Sequence, residues 1–135
     1  MSEVSLALQA AVLLALRSHA PLSALPLQGR IYDRVPSNAV FPYATFRVPN
    51  VVDDSADCVE GSEVNFAIHV WSRTVGWPEA ATIAGHVRKA LHLVDLPMTD
   101  FVMITCTFQE FIRLDDPDGI TNHGVASFRA LINAV

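Results

Sequence analysis

Apolar and polar positions alternate along this chain with two different periods, and the switches between them mark its elements. From Ser62 to Ser72 the period is two. Val64, Phe66, Ile68 and Val70 fall on one side, Asn65, Ala67, His69 and Trp71 on the other, which predicts a strand with one face in a core. The last third repeats the pattern twice. Phe101–Arg113 carries the apolar row Val102, Ile104, Cys106 and Phe108, and Asn122–Asn133 carries Ala126, Phe128, Ala130 and Ile132. Thr105, Thr107, Gln109, Ser127 and Arg129 make up the opposite, polar row. The turn residues Asp115, Asp116, Pro117, Asp118 and Gly119 between them predict one long β-hairpin. From Pro78 to Val94 the period becomes 3.6, with Ala80, Ile83, Ala84, Val87, Leu91 and Val94 on one stripe. Pro78 suits the first helical position, and Glu79, Arg88 and Lys89 fall on the wetter side.

A further helix is predicted over Ser2–Ser18, with Ser2 as N-cap, Glu3 at the positive end, and Arg17 and His19 at the negative end. Pro21 stops it. Between Leu6 and Leu16 only Gln9 is polar, so the helix needs burial on more than one side. One face can cover the sheet. The other, represented by Leu6 and Leu13, meets another subunit or a long loop, unless the whole helix lies deep in its own domain. The preceding residues lack the positive charge of a signal peptide, and the run is too short for a bilayer span. Pro21–Pro42 is rich in turn residues, with only Ile31–Tyr32 extended. Tyr43–Val52 reads as a strand that Pro49 confines to an edge or bulge. The order α-β-β-α-β-β over residues 1–135 predicts one α+β domain. It has a mostly antiparallel four-stranded sheet, two helices packed on one face, and a polar second face.

Composition adds one inference about surface. Of 135 residues 51% are hydrophobic and 17% charged, and mean hydropathy is +0.33. That apolar balance implies surface buried beyond a single core, most simply in a homo-oligomer. The net charge of −5, from 14 acidic against 9 basic residues, argues against a protein that holds nucleic acid by neutralising phosphates. Cys58 and Cys106 form no paired motif and fit a reducing compartment, Cys106 as a core residue. Asp53, Asp54, Asp57, Glu60 and Glu63 lie in one loop with no base. Such a run is either a solvated loop or a surface that repels phosphate or receives a basic partner. Trp71 and Trp77 bracket a short connection holding Arg73. Both residue types are enriched at interfaces, and local packing is the alternative.

No constellation in the chain spells out catalysis, a cofactor or a metal. A calcium loop counted from Asp115 needs a glutamate at its twelfth position, where this chain has Ala126. His86 and His92 share a helix but stand about 240° apart around it, so they cannot clamp one ion. His69 and His123 show no ligand pair at useful spacing. There is no nucleophile elbow, no P-loop and no dinucleotide fingerprint.

Several short signatures, taken in order, resemble one family. They are Leu8-Gln9-Ala10-Ala11-Val12, Gly29-Arg30-Ile31-Tyr32-Asp33-Arg34-Val35-Pro36 and Phe41-Pro42-Tyr43-Ala44-Thr45. His69-Val70-Trp71-Ser72-Arg73 follows, then Ile83-Ala84-Gly85-His86-Val87-Arg88-Lys89-Ala90-Leu91-His92. Asp116-Pro117-Asp118-Gly119, His123-Gly124 and Phe128-Arg129 complete the set. Together they resemble the small tail-completion proteins, or tail terminators, of long-tailed phages and gene transfer particles. The resemblance implies a virion tail component assembled in the bacterial cytoplasm. It also implies a hexameric ring that caps the head-proximal end of a tail tube, ends tube polymerisation and meets a head connector, with DNA passing through unbound. It brings no catalytic residues, cofactor or membrane contact. Leu6, Leu13, Trp71, Arg73, Trp77 and Arg129 are then interface candidates, and Asp53, Asp54, Asp57, Glu60 and Glu63 candidates for lining the DNA channel. A head-side connector, or less simply a small enzyme or ligand-binding module, is the alternative.

Overall fold

A computed structural model describes residues 3–24 and 26–135; the expected N-cap Ser2 lies outside them. Helix α1 spans Val4–Ser18, and Glu3 caps it, its carboxylate accepting from the N–H groups of Ser5 and Leu6. A carboxylate there satisfies two orphan donors and meets the positive helix end. A single turn, α2 (Ala20–Ser23), follows. Then come β1 (Ile31–Tyr32), β2 (Tyr43–Asp53), β3 (Gly61–Ser72), α3 (Pro78–Leu91), β4 (Phe101–Asp115) and β5 (Asn122–Ala134).

The sheet has five strands in the order β1-β2-β3-β5-β4, not the four expected. The added strand is β1, which lies parallel to β2 with Ile31 opposite Ala44. Two residues are too short for alternation to announce a strand. The helices number three rather than two because α2 forms at Pro21. All other pairings are antiparallel. Helix α3 is shorter than its apolar stripe. It ends at Leu91, leaving Val94 partly exposed, because the chain turns onto the edge of β4. There Leu93 takes φ 59° and donates its N–H to Cys106 O at 2.7 Å.

The inner face of the sheet packs on the helices as predicted for β3 and β5. Val64, Phe66, Ile68, Val70, Ala126, Phe128, Ala130 and Ile132 are all buried. Phe46, Phe66, Phe128 and Phe108 form a run of rings 5.2–5.6 Å apart across four strands. Strand β4 departs from its expected row. Met103 pairs with Ile132 and Thr105 with Leu131, so Ile104 is an extra residue. Met103 and Cys106 face the core, while Val102 and Ile104 are 49% and 57% exposed. A second bulge at Gln109 restores the pairing on the other side. Each bulge shifts the parity of everything beyond it by one. A third irregularity falls at Val48–Pro49 in β2, between Arg47 and Asn50, where proline removes a ladder donor.

Candidate functional site

The outer sheet face is not uniformly polar. Its first cross-strand row is Leu114, His123, Trp71 and Tyr43, and its second is Ile112, Val125, His69 and Thr45. Trp71 lies flat on His123, with ring centroids 3.6 Å apart and planes at 14°. His69 Nδ1 and His123 Nε2 are 2.8 Å apart, so one ring donates to the other. Tyr43 and Phe41 extend the cluster. The guanidinium of Arg73 sits 4.1 Å over the Phe41 ring and donates to Thr121 Oγ1. The Asp118 carboxylate, 3.6 Å from Arg73, is held down to about 2, first by the Thr121 hydroxyl and then by backbone N–H groups. Burial, the neighbouring His123 and Arg47 hold His69 down to about 4, and burial lowers His123 as well. A proton shared between two neutral rings is the state these surroundings favour. Trp71 Nε1 is shielded and has no hydrogen-bond partner among the described residues.

Trp77 is on the other side of the sheet. It is half-buried against the core, and Arg113 lies 4.9 Å over its ring. The structure therefore does not bring Trp71 and Trp77 together into one surface. Arg73 joins the Trp71 side and Arg129 does not; Arg129 donates to Glu63 further down the outer face.

The expected acidic loop is the tip of an arm. Strand β2 continues to Asp53 and β3 starts at Gly61, so only residues 54–60 form the loop. Everything from Pro49 to Glu60 is exposed, Val51, Val52 and Val59 included. Asp53 accepts from the Ser55 hydroxyl, and among the described residues no ion pair reaches Asp53, Asp54, Asp57 or Glu60. Glu63 is set apart from them, on β3 and paired with Arg129. Gly61 fixes the arm's root, since a Cβ there would lie 2.9 Å from Asp54 O and 2.8 Å from Asn133 Oδ1.

Helix α1 presents Leu6 and Leu14, 65% and 64% exposed. Leu13 is instead half-buried against the core. Leu6, Ala10 and Leu14 border a groove of about 570 Å³ whose far wall is Pro97 and Met98. A broader cleft of about 790 Å³ continues from Glu3 between Val4, Phe101 and Ile132, with Glu60 and Asp100 on its rim.

Among the described residues, no group of three His, Cys, Asp or Glu is placed to hold a metal. Burial pushes the Cys106 thiol up to about 12, which removes its thiolate at neutral pH. His92 has a structural role, accepting the Phe108 N–H at 2.9 Å. No helix among the described residues is long and apolar enough to cross a membrane.

The family model described as "Tail completion protein gp17" matches residues 10–133. A chain in the solved "Virion of native gene transfer agent (GTA) particle" is similar over 99% of this chain and 100% of its own. Its TM-score is 0.90 and its sequence identity 27%. No curated protein matches. With the family match running through nearly every element described above, this chain belongs to the tail completion protein family.

Proposed function

We propose that this chain is a structural component of a phage-like virion tail that assembles as a six-membered ring on the head-proximal end of the tail tube. The ring ends tube polymerisation and presents a surface to the head connector. The observation that carries this reading is the family match over residues 10–133, joined to the end-to-end likeness to a chain of a gene transfer agent virion. The surface supports it physically. Exposed Leu6 and Leu14 on one helix, and exposed valines on the arm, are the apolar area that a subunit interface would cover. Asp54, Asp57 and Glu60 at the arm tip carry charge that would keep DNA moving through the ring without adhesion.

Particles lacking the chain test this reading. Overlong tubes without attached heads are expected. Tails of normal length with heads attached would refute the role. Native mass spectrometry of the purified chain over a concentration series should reach about 88 kDa, six times 14.7 kDa. Binding to portal-side proteins but never to tail tubes would instead establish a head-side connector.

A further inference from the structure

The two outer strands of the sheet leave unpaired edges of opposite character. On one side, β1 covers β2 only at Ala44 and Thr45, so the arm half, Val48–Asp53, has a free edge. On the other side, β4 is the last strand for its whole length. The chain's own return from α3 covers its middle, where Leu93 N–H bonds Cys106 O and Phe108 N–H bonds His92. The stretch Gln109–Asp115 is left open. Long open edges invite another strand, and natural proteins protect them or use them.

Strand direction makes these two edges compatible. β2 is antiparallel to β3, β3 to β5, and β5 to β4. β2 and β4 therefore run oppositely, and the arm lies level with Val102–Thr107, so a second copy beside the first and displaced along inclined strands brings its arm antiparallel to Gln109–Asp115 of the first copy's β4. Head-to-tail contacts of this kind close into rings. Side-chain placement agrees. Val51 and Asp53 sit opposite Val64 and Ser62, so they point to the helix side of the sheet. On the helix side of β4 the guanidinium of Arg88, from α3, lies over Phe108, the next residue along that helix is the exposed Lys89, and Arg113 of β4 lies over Trp77. Val52 points to the other side, where Ile112 and Leu114 of β4 are 40% and 39% exposed. The acidic groups on this half of β4 are Glu110 and Asp115, and Asp95 lies beyond the covered middle.

We infer that the arm strand of one subunit adds to the Gln109–Asp115 edge of the next, with Asp53 facing Arg88 and Lys89 and Val52 meeting Ile112. The occupant is a second copy of this chain, and the inference rests on the ring reading. It joins neighbouring sheets while leaving the arm-tip carboxylates outside the seam.

Cysteine pairs and charge exchange test it on the intact chain. In a Cys58→Ser background, Val52→Cys with Ile112→Cys should give a ladder of disulfide-linked oligomers on oxidation, and either cysteine alone should give none beyond dimers. Asp53→Arg should raise the concentration needed for the ring about tenfold or more, and Asp53→Arg with Arg88→Glu and Lys89→Glu should recover most of it. The melting temperature of each variant separates lost contact from lost folding. A wild-type ring that tolerates Asp53→Arg and yields no ladder overturns this contact and leaves the ring reading standing. A wild-type chain that stays monomeric at every concentration and on tail tubes overturns both.

Discussion

The two ends of strand β3 are built on opposite plans. At one end Trp71 stacks on His123 and Tyr43 and His69 is hydrogen-bonded to His123, with Arg73, Thr121 and Asp118 closing the turn around them. At the other end Gly61 leads into an arm whose residues are all exposed. Both ends look like interface material by residue type, one aromatic, the other charged and apolar. The difference teaches that composition alone does not separate a surface already satisfied within the subunit from one still open. At the Trp71 end the ring faces cover one another, although Trp71 Nε1 has no hydrogen-bond partner among the described residues; at the Gly61 end no described residue covers Val51, Val52 and Val59.

The largest test of that contrast is Trp71→Ala. Removing a half-buried ring from the cluster should cost about 2–3 kcal/mol, seen as a lower denaturation midpoint with assembly of the folded fraction intact. Lost assembly at unchanged stability would reverse the assignment and return Trp71 to an intersubunit role. Next in size is Gly61→Ala, at about 2 kcal/mol, because its Cβ would press on backbone at Asp54 O. Gly124→Ala should cost less, since the atoms it meets are the far end of the Phe111 ring. Equal losses would show that ring to be as fixed as the arm's root.

A smaller effect separates the ends by pH. His69 ordinarily titrates at 6.5 but in the fold only at about 4. Between those values the unfolded chain takes up a proton that the folded chain refuses. Stability is therefore full above pH 6.5 and declines as pH falls toward 4. With partial exposure discounted, the loss is about 1 kcal/mol, or roughly 3–6 °C in melting temperature. His69→Gln should flatten the curve between pH 6.5 and 5, and an unchanged slope would remove the histidine pair from the account. Smallest of all for stability is the triple change of Asp54, Asp57 and Glu60 to lysine, within about 0.5 kcal/mol, yet it should lower infectivity by impeding DNA. Full infectivity would end the channel role for these carboxylates.

How far the sequence revealed this molecule follows from the range of each interaction. Strand β3, helix α3 and the closing hairpin declare themselves through alternation within a dozen neighbouring residues. The histidine pair does not, because His69 and His123 are 54 positions apart and meet only through the register of β3 with β5. Once that register is known, the outward row of β3 and the residue before Gly124 point to the cluster directly. The sequence points to Leu13 where Leu14 is the exposed residue, because an almost uniformly apolar helix gives no polar marker for its wet side. Unbroken alternation puts Val102 and Ile104 inward because no glycine or proline marks the bulge that turns them out. The acidic residues were legible as a group, but only pairing shows that Glu63 stands on a strand with Arg129.

Ile104 and Gln109 each stand opposite no residue of β5, while their neighbours keep consecutive partners. In the language of insertion and deletion, β4 holds two spare letters. Excising either one alone would bring its flanking residues together with their partners and faces unchanged. Excising Thr107 instead would set Phe108 opposite Arg129 and send it to the wrong side of the sheet. Homologous strands can therefore differ in length by one or two residues at these places and still present the same edge.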